Sequence, residues 1–264
     1  MSNTQIRVRP RFSTSIPLWM RTDQPREVGM DYWKGPHSKI ISASPGLEEY
    51  RQIHLAEANE GLWPAIDGVE TSIPAGRKMD GVAEVTFRSL LSPLLGYKQT
   101  QLAFKDEINV FRRTLLYAGL PHWSRWYEVG RPGERIGARA LIYVRRRQGV
   151  GAGEFRKFID DEFVPTLADT ERLKELRTQS FLPWSKRLWD TPNVAHDNPP
   201  DQQFHASVIL GFTDAAELEA FFASREVARL SSLLARFASA VHAYRMSAAL
   251  TFVRDGAILP AYQE

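Results

Sequence analysis

The order strand, helix, strand, strand, helix, strand can be read twice along this chain, and that doubling constrains its fold more than any other feature. In the first pass, residues 16–21 read as a strand. Pro25 then opens a helix to about residue 42, because proline suits a first helical turn. Ser44-Pro45-Gly46 turns the chain into a strand over 47–57. After a Pro/Gly-rich loop around Trp63, residues 82–90 alternate apolar and polar side chains as a half-buried strand does. Phe104, Ile108, Phe111 and Leu115 recur at helical spacing, which predicts a helix over 99–117. Residues 124–129 close the pass as a strand.

Arg131-Pro132-Gly133-Glu134 reads as a linker, and the order then repeats. Residues 138–146 are predicted as a strand and 153–168 as a helix, with Phe155, Ile159 and Phe163 four residues apart. Strands follow at 173–181 and 203–212, then a helix over 215–239 with Asp214 and Glu217 suited to cap it, and a last strand over 242–253. The segment 182–202 is a long loop holding Trp184, Trp189 and His196; loops of this kind act as lids or as straps pinned by their aromatic residues. The expected fold is α+β: two ferredoxin-like units, 1–133 and 134–264, each an antiparallel four-stranded sheet with two helices on one face. A sheet covered on one face must bury the other, so the two sheets should pack into a barrel with the helices outside.

Composition removes several classes of function. The 264 residues include no cysteine, so disulfides, thiolate catalysis and Cys-ligated metal are excluded. The net charge of +3 is small, and its arginines are interleaved with acids apart from Arg145-Arg146-Arg147, so no footprint for nucleic acid is present. No apolar run reaches the roughly 20 residues that span a bilayer, and residues 1–11 are polar and basic rather than signal-like; no membrane partner and a cytoplasmic location are expected. The six histidines lack His-x-His or His-Glu-x-x-His spacing, so no metal site is expected. Gly149-Val150-Gly151-Ala152-Gly153 lacks the parallel βαβ setting a dinucleotide needs.

The residues best suited to chemistry lie early in the chain. On a helix, Trp33, His37 and Ile41 share one face, and Pro36 should kink it and tilt His37 toward the sheet. An imidazole titrates near pH 6.5 in water and so suits proton transfer. Strand alternation puts Tyr50 and His54 on one face, and Glu84 and Arg88 on one face of the next strand. The expected pocket holds His37, Tyr50 and His54 as catalytic groups, with Glu84 and Arg88 beside a wall of Trp19 and Trp33. Glu84 and Arg88 can equally be a plain ion pair on a solvated edge.

Tyr32-Trp33, His37, the Pro45-Gly46-Leu47 turn and Tyr50-x-x-x-His54 together resemble the EthD-like family of the dimeric α+β-barrel superfamily. The resemblance covers the first half; in the second, Phe158, Ile159 and Phe163 stand where the aromatic pair and histidine would be, implying one active pocket per chain. It implies a cofactor-independent lyase or isomerase that dehydrates, decarboxylates or cyclises an apolar or aromatic carbonyl compound, with His37 as general acid–base. Two alternatives stand beside it: a non-catalytic carrier of a hydrophobic metabolite, and an α+β-barrel monooxygenase with or without haem. Internal pairing lowers the need for a homodimer, while assembly through the outer helices stays compatible with the pattern.

Overall fold

The computed structural model describes residues 6–131 and 133–263; residues 1–5 of the basic N-terminus, Pro132 of the expected linker and Glu264 lie outside it. The first half runs β1 (Val8–Met20), α1 (Arg26–Tyr32), a wide π-turn (Trp33–His37), α2 (Ser38–Ser42), β2 (Leu47–Leu55), β3 (Gly81–Phe87), α3 (Ser92–Leu95), α4 (Tyr97–Glu107), β4 (Phe111–Thr114), β5 (Tyr117–Ala118) and β6 (Ser124–Tyr127). The second runs β7 (Ala138–Arg146), α5 (Ala152–Phe158), a π-turn (Ile159–Phe163), α6 (Val164–Ala168), β8 (Glu175–Ser180), β9 (Ala206–Phe212), α7 (Ala215–Phe222), α8 (Arg225–Phe237), β10 (Ala238–Arg254) and β11 (Ala257–Gln263). Asp214 caps α7 as expected, accepting from the Glu217 amide at 2.9 Å.

The helix predicted over 99–117 stops early. The amides of Asn109 and Val110 turn back onto the carbonyls of Asp106 and Glu107, and residues 111–114 then pair with β1, Met20 opposite Phe111 and Leu18 opposite Thr114. An open β1 edge offered this aromatic and β-branched segment a ladder, and the ladder overrode the helical spacing of Phe111 and Leu115. β1 is longer than expected because it works twice: Val8–Arg11 pairs with β6, and Phe12–Leu18 with β3.

Within each half the strands lie in the order second, third, first, fourth: β2-β3-β1 with β4, β5 and β6, and β8-β9-β7-β10. The halves join through β10 with β2 and through β6 with β8, which closes an eight-stranded antiparallel barrel. Alternation then gives each sheet two buried faces. Outside the second half, Val208, Leu210 and Phe212 pack with Phe158, Phe163, Leu218 and Leu230 of the helices. Outside the first, Leu18, Tyr50, Val85 and Val253 pack with Met30 and Trp33.

The inward faces meet in the barrel. One part is aromatic and aliphatic: Trp19, Tyr117, Tyr143, Phe181, Phe204 and Tyr244 with Ile53, Leu55 and Val82. The other is ionic. Arg51 reaches Glu84 at 2.9 Å and Glu175 at 2.5 Å; Arg177 pairs with Glu49, Glu84 and Glu175; Arg139 also holds Glu175. Three of these bridges, Arg51–Glu175, Arg177–Glu49 and Arg177–Glu84, run from β2 and β3 to β8, so they tie one half of the chain to the other across the barrel. Three guanidinium groups and three carboxylates balance, which is what makes such burial tolerable.

Candidate active site

The π-turn Trp33-Lys34-Gly35-Pro36-His37 is where local sequence and site geometry meet. Pro36 has no N–H to donate up the helix, so the turn widens there instead of breaking, a frequent device at functional positions. The widened turn buries Trp33 and His37 together against the sheet. Trp33 fits only because β3 opens with Gly81, where a Cβ would lie 2.5 Å from the indole. The second half repeats the wide turn over Ile159–Phe163, placing Ile159 and Phe163 where Trp33 and His37 stand. There the space is filled by rings: Phe163 packs on Trp63 and Phe158.

His37 is 4% exposed, and its Nδ1 lies 2.8 Å from Asp106 Oδ2 at the end of α4. The Tyr32 hydroxyl donates to the other oxygen of Asp106 at 2.7 Å. Those bonds from His37 and Tyr32 hold Asp106 below the usual carboxylate range, so it is an anion and an acceptor. The Asp106 carboxylate therefore fixes the proton on Nδ1 and leaves Nε2 as the basic atom of the ring. Phe111 meets the imidazole edge-on at 5.3 Å and locks its plane.

Glu107, the next residue, is 3% exposed and accepts from Trp189 Nε1 at 3.0 Å and from the Thr191 hydroxyl at 2.6 Å. Burial outweighs these bonds and pushes its carboxyl up to about 7. His196 is a support rather than an acid: its Nδ1 bonds the Thr114 carbonyl at 2.7 Å, and its Nε2 accepts from the Thr191 amide at 2.9 Å. The 182–202 loop is thus tied down over Glu107 by Trp189, Thr191 and His196, and it walls the site as well as strapping the fold.

His37 and Glu107 both line an inner cavity of about 20 Å³, with Trp33, Tyr50, Phe111, Thr114 and Trp189 around it. Ile16, Ile41, Val85 and Trp189 also line a larger, mostly apolar pocket of about 320 Å³ between the helices and the outer face of the first sheet. Its far wall is Phe12, Phe87, Pro93, Tyr97 and Leu188. Next to Pro93 in the chain, Leu91, Leu94 and Leu95 are between 64% and 73% exposed. The arrangement is an apolar pocket beside a small inner cavity that His37 and Glu107 both line.

The structure brings together only part of the expected constellation. His37, Tyr50 and Trp33 share the inner cavity, with the Tyr50 hydroxyl accepting from Gln52 at 2.8 Å and burial raising its pKa, so the phenol stays neutral. His54 lies behind Trp33, stacked on the indole at 4.7 Å, and burial lowers its pKa to about 4; it is a neutral packing group. Trp19 and Glu84 are not in this pocket. Their strand positions face the barrel interior, Glu84 in the ionic network and Trp19 under the Arg113 guanidinium at 4.6 Å. The face expected to be polar and helix-facing on β3 is the inward one, because the barrel buries charge in pairs. Arg88 is half-exposed at a strand end beside Glu48 and the Asp255 carbonyl, so the expected Glu84–Arg88 pairing does not form. Asp106 and Glu107 were hidden from sequence reading inside the helix expected over 99–117; their only signal was two adjacent acids.

His37 is the imidazole that a haem would need in this pocket, but the space beside it is about 20 Å³, room for roughly one water. Among the described residues, no cluster of three or more His, Asp or Glu is placed to hold a metal ion, and no helix is long and apolar enough to cross a membrane.

No family model and no curated protein sequence matches this chain. Solved structures do. A candidate monooxygenase from Lactobacillus acidophilus NCFM superposes with a TM-score of 0.51 at 10% identity, over 97% of this chain and 99% of that one. An anthrone oxidase-like protein gives 0.54 at 8%, covering 93% and 96%. A candidate monooxygenase from Fusobacterium nucleatum subsp. nucleatum ATCC 25586 gives 0.52 at 5%, covering 90% and 91%. The shared fold is an α+β barrel closed by eight antiparallel strands. Here one chain supplies both of its sheets. At such identities the likeness speaks for fold and for nothing finer.

Proposed function

We propose that this chain is a small-molecule enzyme whose first half, residues 1–133, removes a proton from an apolar aromatic substrate, while residues 134–264 form a ferredoxin-like partner unit without an active pocket. The observation that carries this reading is the pair His37–Asp106 and Glu107, buried side by side at the closed end of an apolar pocket. A carboxyl near pH 7 and an oriented imidazole are suited to take and return a proton. Tyr50 supplies a neutral hydroxyl to the oxygen on which charge collects, and the rings around it exclude water.

An aromatic ketone with an activated methylene fits these groups: loss of its proton gives an enolate spread over the rings. Two fates of the enolate are chemically open. Reaction with dioxygen turns CH2 into C=O, one oxygen atom entering the product and the other leaving as water. Elimination or rearrangement gives the lyase-type outcome the sequence suggested. The oxygenase fate is the first to test, because the neighbours in fold are described as candidate monooxygenases and as anthrone oxidase-like.

Anthrone is the probe that separates these readings. Incubated anaerobically with the enzyme in D2O, it should exchange its methylene protons faster than in buffer, and His37→Gln should remove the enhancement. In air, the wild type should consume one oxygen molecule per anthrone and form the quinone. Exchange without oxygen uptake sinks the oxygenase reading. No enhanced exchange for anthrone or related aromatic methylene ketones sinks proton abstraction itself.

A further inference from the structure

At the aromatic part of the barrel, on the opposite face of the sheet from His37, an unexplained positive cluster is buried. Arg77, from the loop between β2 and β3, is only 2% exposed. Its Nη2 donates to Asn198 and Gln202 of the long loop, at 2.9 and 2.8 Å. Its Nε and Nη1 are buried with no partner, and among the described residues no carboxylate pairs with it. Arg113 and Arg145 are close enough to lower its pKa further, after burial itself.

The neighbours deepen the imbalance. Arg145 and Arg77 both approach the Phe204 ring, at 5.8 and 5.5 Å, and Arg113 lies over Trp19 at 4.6 Å. Arg113 also donates to the carbonyl of Gly76, next to Arg77. The Nε atoms of Arg113 and Arg145 and the Trp19 Nε1 are buried and unpaired as well. Two carboxylates stand at the rim: Asp197, with its side chain 72% exposed, beside Arg113, and Glu70, 39% exposed, beside Arg145. Three guanidinium charges therefore meet two carboxylates, and five buried nitrogens lack an acceptor. Buried donors of this kind are seldom left unpaired.

We propose that this end of the barrel is a binding site for a small oxyanion, a carboxylate or a phosphate, held by Arg77 with Arg113 and Arg145 and reached past Asp197. The anion supplies the missing negative charge and the acceptors that these nitrogens lack. The site is separate from the pocket of His37 and does not depend on its chemistry.

The test is thermal unfolding of the full chain in inorganic phosphate or in benzoate, each against sodium chloride of equal ionic strength. At least one anion should raise the wild-type Tm by about 5 °C at a hundredfold excess over Kd. Arg77→Met should lose that shift while matching or exceeding the wild-type Tm in chloride, and Arg113→Gln should weaken binding at least tenfold. Phosphate binding alone assigns the inorganic source, and benzoate alone an aromatic carboxylate. The site is disproved if neither anion acts beyond chloride (water alone then satisfies the nitrogens), or if the shift persists in Arg77→Met. Should Arg77→Met fail to fold, unchanged affinity in Arg113→Gln disproves it.

Discussion

Glu107→Gln isolates the cost of burying an acid at the end of the pocket. Burial pushes this carboxyl from an ordinary 4.5 to about 7. Between those values the folded chain holds a proton that the unfolded chain has released, so the Glu107 contribution to stability falls as pH rises and is fully lost above about 7. At roughly 1.4 kcal/mol per pKa unit, the loss comes to about 3 kcal/mol. Glutamine keeps an oxygen for Trp189 and Thr191 but does not titrate. The difference in stability between variant and wild type should therefore grow by about 3 kcal/mol in the variant's favour from pH 4 to pH 8. His54, His205 and His242 act the other way: burial lowers each to about 4, and stability rises with pH between there and 6.5. Both proteins share that rise, so subtraction removes it. Urea unfolding at pH 4, 5, 6, 7 and 8 measures the difference, which should also appear as roughly 5–6 °C in Tm. A difference that is flat within about 0.5 kcal/mol over that range refutes the reasoning.

Three other outcomes follow from the same geometry. Asp106→Asn removes the anion that fixes the His37 proton on Nδ1, so kcat should fall about 100-fold or more with KM nearly unchanged, measured with anthrone or whichever aromatic ketone turns over. Glu175→Gln leaves Arg51, Arg139 and Arg177 short of a buried counter-charge and should cost about 3–5 kcal/mol in chemical denaturation. Those arginines hold the Glu175 carboxyl far below its ordinary value, so its contribution is present above about 4.5 and fades as pH falls, and the variant should tolerate acid no worse relative to its own neutral stability. Gly81→Ala forces a Cβ to within 2.5 Å of Trp33 and 2.7 Å of the Ile53 carbonyl, so it should cost about 2 kcal/mol and also lower activity; wild-type stability in that variant would show that the Trp33 seat is loose.

The alternation of strands and helices, apart from residues 111–118 and the last strand, and the disturbance of the first helix at Pro36 were legible in the chain because they rest on local chemistry. Proline and glycine limit backbone angles, and apolar spacing records which face of an element is buried. That is why Trp33, His37 and Tyr50 could be placed together before the fold was known. Position 163 could likewise be seen to carry phenylalanine where position 37 carries histidine. Only tertiary structure decided the rest. Alternation says that Glu84 and Val85 face opposite ways, but it does not say which way is inward, and closing the barrel gave the charged face an interior partner on β8. Residues 111–114 have the spacing of a helix and became strand because β1 had an edge to fill. Asp106 and Glu107 differ by one position and by a single helical step, yet one is held as an anion by His37 and Tyr32 while the other is raised by burial in spite of the bonds it accepts from Trp189 and Thr191. A side chain's chemistry is set by which neighbours the fold delivers to it, and those neighbours lie tens of residues away along the sequence.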